Sequence, residues 1–111
     1  MASANGNVLE ITEANVEALV VKSPLPVLLD FTAEWCQPCK AMFPTIVSLA
    51  KEYEGKVTFG SVDVAKSPAV AAQFMVRGVP TLLLVRGGKV LGQLGGSNSK
   101  AKIAELIKKG L

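Results

Sequence analysis

The run Pro26-Val-Leu-Leu-Asp-Phe-Thr32 constrains the fold more than any other stretch of this chain. Apart from Asp30 it is continuously apolar, with no alternation of apolar and polar residues. A strand with one face in water alternates, whereas a continuous apolar run of strand length is covered on both faces. The run therefore predicts a buried strand in a sheet sandwiched between helices. At 111 residues the chain is long enough for one domain with a real core and too short for two. Half of it is hydrophobic and 19% is charged, a globular balance.

The remaining elements follow from local signals. Residues 7–10 read as a short first strand. Thr12 is suited to cap a helix running to about Val20, which Ser23-Pro24-Leu25-Pro26 breaks. Residues 36–53 read as a long helix, with Met42, Ile46, Leu49 and Tyr53 at spacings of three and four. Pro44 inside it is expected to kink it, and Gly55 to stop it. Residues 57–64 form another strand. Ser67 and Pro68 suit the start of a short helix ending near Met75. Residues 81–86 and 89–94 flank Gly87-Gly88, a hairpin signal. A last helix over 99–109 turns Ile103, Leu106 and Ile107 inward.

The first half reads βαβαβ, which predicts parallel strands with right-handed crossovers, and the hairpin adds an antiparallel strand. The expected fold class is α/β, with a mixed, roughly five-stranded central sheet flanked by about four helices. Residues 1–6 are expected to be a flexible N-terminus and 7–111 a single domain.

The start MASANGNVLEI has neither a basic n-region nor an apolar h-region, so it does not read as a signal peptide. No apolar run approaches a membrane span. The net charge of +3 comes from scattered lysines and arginines. Lys100, Lys102, Lys108 and Lys109 gather at the C-terminus, where they read as a solvated helix face rather than a nucleic-acid patch. The expectation is a cytoplasmic protein with no nucleic-acid or membrane partner.

The two cysteines of the chain, Cys36 and Cys39, stand three residues apart at the junction of the buried strand and the long helix. In α/β sheets ligands gather at this edge. Residues i and i+3 of a helix are neighbours, so the two thiols can close a disulfide and can also separate. The free N–H groups of a first helical turn favour a thiolate. Cys36, at the helix end, is expected to be the more exposed and to be the nucleophile. Cys39, one turn in, resolves the mixed disulfide that Cys36 forms with a substrate. Other readings remain beside this one. Two inert buried thiols are one, and an iron–sulfur cluster shared between two chains is another. A zinc site within the chain lacks ligands, since two cysteines and no histidine do not make four.

Phe31-Thr-Ala-Glu-Trp-Cys-Gln-Pro-Cys-Lys40, followed by Arg77-Gly-Val-Pro-Thr-Leu-Leu-Leu84, resembles the thioredoxin family, and the likeness runs from about Val8 to Leu111. It implies the thioredoxin fold. It implies that Pro80 is a cis-proline beside the disulfide, presenting Val79 backbone to an extended substrate and keeping metals from the thiolates. It implies that Asp30 is a buried acid below Cys39 that accepts its proton through water or a brief approach. Read from the strand alone, Asp30 could instead sit at a strand end facing water. Trp35, by resemblance, shields the disulfide and helps dock partners, though the residue alone also fits a half-buried packing role. Gly78, Val79, Gly95 and Gly96 are expected to complete a flat apolar surface around Cys36, and Lys40 to add a little positive potential.

The chain departs from the family pattern in three places. Ser61 stands where many relatives carry a lysine that would pair with the buried acid, so Asp30 is expected to be harder to ionise. Thr32 replaces a common tryptophan. Gln37 replaces the usual glycine between the cysteines, while Pro38 is retained to stiffen the helix start. Gln37 lowers backbone freedom and adds a donor near the thiolate.

The function implied is a protein-disulfide reductase that works through a redox-active Cys36–Cys39 pair with no bound cofactor and is somewhat less reducing than relatives with glycine at position 37. Its electron donor is a thioredoxin reductase, either a flavoprotein or a ferredoxin-linked enzyme. Its substrates are disulfide-containing proteins, and it is expected to be a monomer. The alternatives are a disulfide oxidase or isomerase, and a protein-binding scaffold that uses the surface around Trp35 and Val79.

Overall fold

A computed structural model describes the backbone of residues 3–5 and the whole of residues 7–111. The apolar run forms β3, Val27–Thr32, and it lies inside the sheet as its composition requires. The other strands are β1, Ser3–Asn5; β2, Val8–Glu10; β4, Thr58–Asp63; β5, Thr81–Arg86; and β6, Lys89–Gly95. Their order across the sheet is β1-β2-β4-β3-β5-β6. β4 runs parallel to both β2 and β3, whereas β5 is antiparallel to β3 and to β6. The five expected strands are thus β2 to β6, in a mixed sheet, and β1 adds a short antiparallel strand beside β2. The flexibility expected of residues 1, 2 and 6 lies outside the described residues.

Helices cover both faces. α1 spans Gln37–Glu52, α2 Pro68–Gln73 and α3 Lys100–Lys108, and a π-helical turn spans Glu17–Val21. Alternation along β3 sorts the core into two layers. Leu28 packs with Met42, Ile46 and Leu49 of α1 and with Ile103, Leu106 and Ile107 of α3. Val27, Leu29 and Phe31 point the other way, onto Val16, Val20, Val70 and Ala71. Phe31, Phe59, Leu28, Leu82 and Ile103 are fully buried. Each such side chain contributes about 1.5–3 kcal/mol of transfer free energy.

Two local expectations are modified and a third is met. Thr12 caps the turn that leads into the helix and not the helix itself, whose N-cap position is Val16: Thr12 Oγ1 accepts the Ala14 N–H at 3.2 Å, and Asn15 Oδ1 accepts the Thr12 N–H at 2.8 Å. The segment then widens to π winding, with the Lys22 N–H donating to the Glu17 carbonyl at 2.9 Å. Ser67 occupies the N-cap position of α2, but its side chain makes no capping bond. Glu13, distant in sequence, accepts the Ala69 N–H at 3.3 Å and satisfies that helix start instead. The Gly87-Gly88 turn is as expected: φ values of 59° and 80° suit the two-residue hairpin turn that matches strand twist.

The exit from α2 was not legible. Val76 N–H bonds to the Ala71 carbonyl at 2.9 Å and Met75 N–H to the Ala72 carbonyl at 3.1 Å, the paired bonds of a Schellman ending. Met75 takes the left-handed position, φ 58°, that glycine usually fills there. This turn aims the following residues, Val76 to Pro80, back across the end of the sheet toward the cysteines.

Candidate active site

Three chain segments meet at the C-terminal end of β3. The first is the turn from β3 into α1. Cys36 is the N-cap of α1, in extended conformation, and Pro38 sits in the first turn. Cys36 and Cys39 are joined as a disulfide with their Cα atoms 5.3 Å apart. Cys36 Sγ accepts the Cys39 N–H at 3.2 Å, so one of the orphan amides of the helix start is aimed at the outer sulfur. An amide and the positive end of a helix at that atom favour a thiolate over a thiol once the bond is open.

Cys36 is the more exposed of the two, as expected, but only slightly, and both are buried. Cys36 is 4% and Cys39 2% exposed. Ala33, Val64 and Val79 pack around both sulfurs and close off the outer one nearly as well as the inner. Gln37, Pro38 and Lys40 are exposed around this pair. Trp35 is 72% exposed, which removes the half-buried packing role and leaves its indole on the surface next to the disulfide.

The second segment is the loop before β5. The Val79–Pro80 peptide bond is cis. Val79 touches the cysteine cluster, and Pro80 is buried. Thr81 Oγ1 donates to the Gly78 carbonyl at 2.7 Å, and the Gly96 N–H donates to the Pro80 carbonyl at 2.9 Å. The second bond brings Gly95 and Gly96, at the end of β6, to the same edge, where Gly95 is also paired with Thr81. A side chain at Gly78 or Gly95 would meet nothing, so backbone is open to solvent at both. The expected flat surface is in part a groove. Trp35, Val64, Pro68, Ala71 and Val76 line it, with Gly78 and Val79 at its disulfide end, in a space of about 320 Å³. The sequence reading passed over Val64, Val76 and Arg77 as site residues. The signal for Arg77 was present, since it directly precedes the Gly-Val-Pro motif.

The third component is Asp30, within β3. It lies between Leu29 and Phe31, which face the α2 layer, so its side chain is on the α1 side of the sheet with Leu28. It is 1% exposed, which removes the water-facing alternative. Neither carboxylate oxygen has a hydrogen-bond partner. Its register neighbours are Ser61 on β4 and Leu82 on β5, so no cation stands beside it in the sheet. Burial pushes its pKa from 3.8 up to about 7. There is no direct bond to Cys39, so a proton passing between them needs a water or a brief approach. Asp30 sits two residues before the end of the strand from which the chain turns to Cys36.

Among the described residues no group of three or more His, Cys, Asp or Glu is placed to hold a metal ion. Among them also, no helix is long and apolar enough to cross a membrane. What the site can do chemically is exchange a disulfide: two sulfurs are bonded, a helix start is aimed at one, and the strand that leads to them carries a buried carboxyl.

Comparison with known proteins agrees with this geometry. A family model described as Thioredoxin matches residues 7–109. The chain is similar to a thioredoxin of Haemophilus influenzae, 44% identical over 90% of this chain and 94% of the relative. It is similar to a thioredoxin of Chlorobaculum thiosulfatiphilum, 39% identical over 92% of this chain and 94% of the relative. Thioredoxin 1 of a Nostoc species is 33% identical over 92% of this chain and 95% of its own length.

Proposed function

The chain belongs to the thioredoxin family of thiol-disulfide oxidoreductases, and from that premise we propose that it runs in the reducing direction, with Cys36 attacking protein disulfides and Cys39 resolving them. The observation that carries the choice of Cys36 as the attacking sulfur is the Cys39 amide donated to Cys36 Sγ at the cap of α1, and the likeness to proteins named thioredoxin supports the reducing direction. That amide stabilises negative charge on Cys36 and, among the described residues, has no counterpart at Cys39.

In the cycle, the Cys36 thiolate forms a bond to one sulfur of the substrate and the substrate disulfide breaks. The departing sulfur takes a proton. Cys39 then gives up its proton and attacks Cys36 Sγ, which releases the second substrate thiol and closes the Cys36–Cys39 disulfide. Two electrons pass from the pair to the substrate, with the Cys39 proton and one further proton from solvent, since the Cys36 thiolate carries none. Asp30, with a pKa near neutrality, is suited to accept the Cys39 proton and return it. Its burial supports a role as a proton reservoir shielded from bulk water.

Trp35, Gly78, Val79 and Gly95 form the docking face, and Pro80 holds Val79 where its backbone meets an extended substrate. Gln37, Pro38 and Lys40 form the exposed rim that touches both substrate and electron donor. With Gln37 in place of glycine, the pair is somewhat less reducing than in relatives that keep it. Thioredoxin reductase, flavoprotein or ferredoxin-linked, returns the electrons. A dithiol that must be kept reduced belongs in a reducing compartment, which places the protein in the cytoplasm. It acts as a monomer, with one domain over residues 7–111.

The test uses two variants and one potential. Cys39→Ser should accumulate a covalent adduct between Cys36 and a disulfide-bonded substrate, whereas Cys36→Ser should form none. The single tryptophan, Trp35, reports the redox state by fluorescence in dithiothreitol and glutathione buffers. A potential more negative than the glutathione buffer supports the reducing direction. One at or above the poise of the isomerases would overturn it.

A further inference from the structure

Resting on the disulfide-reductase reading above, we propose that the groove beside the disulfide selects extended protein segments bearing a carboxylate side chain, and that Arg77 is the residue that makes the selection. The groove is apolar along its length, lined by Trp35, Val64, Pro68, Ala71 and Val76, and Arg77 is the one charged side chain on its wall. A groove of about 320 Å³ accepts an apolar side chain of a partner, and the exposed indole of Trp35 forms one side of it.

The acids next in sequence to the groove residues Trp35 and Val64 are already engaged. Glu34 pairs with Lys66 at 3.6 Å. Asp63 Oδ1 accepts the Ala65 N–H at 2.9 Å and the Lys66 N–H at 3.2 Å. Among the described residues no carboxylate forms an ion pair with Arg77, and its side chain is exposed. A guanidinium on an apolar wall, without a counter-ion of its own chain, is complementary to a partner's carboxylate. Its planar fork holds that group through two parallel bonds.

The position on the partner follows from chain geometry. Arg77 and Val79 are two residues apart, so their Cα atoms are within about 7 Å. A substrate strand laid along Val79 advances about 3.3 Å per residue. The acid therefore belongs roughly two to four residues from the substrate's half-cystine, on the side that runs toward α2. The apolar side chain that fills the groove is its neighbour on the same strand.

The experiment compares two disulfide-bonded peptides, identical except for Glu or Lys three residues from the cystine. Reduction by the full chain is followed with dithiothreitol as electron source, so that no reductase competes for the face. The Glu peptide should have a KM about fivefold lower at low salt, the worth of one exposed ion pair, with kcat the same for both. The preference should shrink as salt screens it. Arg77→Glu should reverse the preference, and Arg77→Lys should keep its direction with a smaller ratio. Equal KM values in the unaltered protein would overturn the proposal, as would a preference that survives Arg77→Glu. If the unaltered protein reduces neither peptide, the reductase reading itself falls and the proposal falls with it.

Discussion

Replacing Asp30 by Asn gives a test whose size can be worked out from the structure. The carboxyl is 1% exposed, has no hydrogen-bond partner, and is pushed by burial from 3.8 to about 7. The unfolded chain loses this proton near the ordinary value, while the folded chain keeps it until about neutrality. Between the two values the folded state holds one more proton than the unfolded state. Stability therefore falls as pH rises, by about 1.4 kcal/mol per pH unit. The stabilisation is complete below about pH 4 and lost above about pH 7, a total of about 4 kcal/mol. From about pH 5.5 to 8.5 half of that window remains, so the protein should lose about 2 kcal/mol.

Few other groups obscure this range, because the chain has no histidine and both cysteines are locked in the disulfide. Asn cannot titrate, and its amide is buried without partners much as the neutral acid is, at a cost of about 1–3 kcal/mol in either case. Asp30→Asn should therefore match the unaltered protein below about pH 4, exceed it by about 2 kcal/mol near pH 5.5 and by about 4 kcal/mol near pH 8.5. Denaturant unfolding of the two oxidised proteins at these pH values measures this. Parallel pH dependences in the two proteins would refute the reasoning, and so would a variant that loses stability at high pH.

Three further outcomes follow from named contacts. Ser61→Lys places a cation in register with Asp30 on the same face of the sheet, so it should lower the Asp30 pKa from about 7 toward the ordinary range, read by NMR titration of the carboxyl carbon. Met75→Gly should raise stability by roughly 1 kcal/mol, because a left-handed φ of 58° is costly for methionine and free for glycine, and a lower unfolding midpoint would contradict this. Gly60→Ala would set a Cβ 2.6 Å from Ile11 Cγ1, so it should cost about 1–3 kcal/mol of unfolding free energy; a neutral result would show that Ile11 moves aside freely.

Much of the site could be read from residue order. Cys36 and Cys39 flank Gln37-Pro38 at the entry to a helix, and that spacing alone gives a disulfide within reach and a nucleophile at the cap. The continuous apolar run placed β3 inside the sheet and made Asp30 conspicuous as the one charged residue within it. Short-range chemistry gave the Gly87-Gly88 turn and sets the Ser99 cap, whose Oγ accepts the Lys102 N–H at 3.2 Å. Each of these depends on residues a few positions apart, and neighbours in sequence suffice to specify them.

Other features depend on residues that only folding brings together. The cover over Cys36 comes from Val64 and Val79, which lie far along the chain, so its burial could not be inferred from the helix-end position. The start of α2 is satisfied by Glu13, from a segment 56 residues away, and not by the serine beside it. The antiparallel pairing of β5 with β3 brings Val79, just before β5, onto the cysteines. The groove that exposes Arg77 exists because the Met75 turn folds the chain back from α2 toward the disulfide. The sequence by itself determined the reacting atoms and the helix end that activates them, because covalent spacing and local hydrogen bonds set both. The tertiary structure decided how far water is excluded from those atoms, because burial and the pKa of Asp30 are set by every segment packed around them.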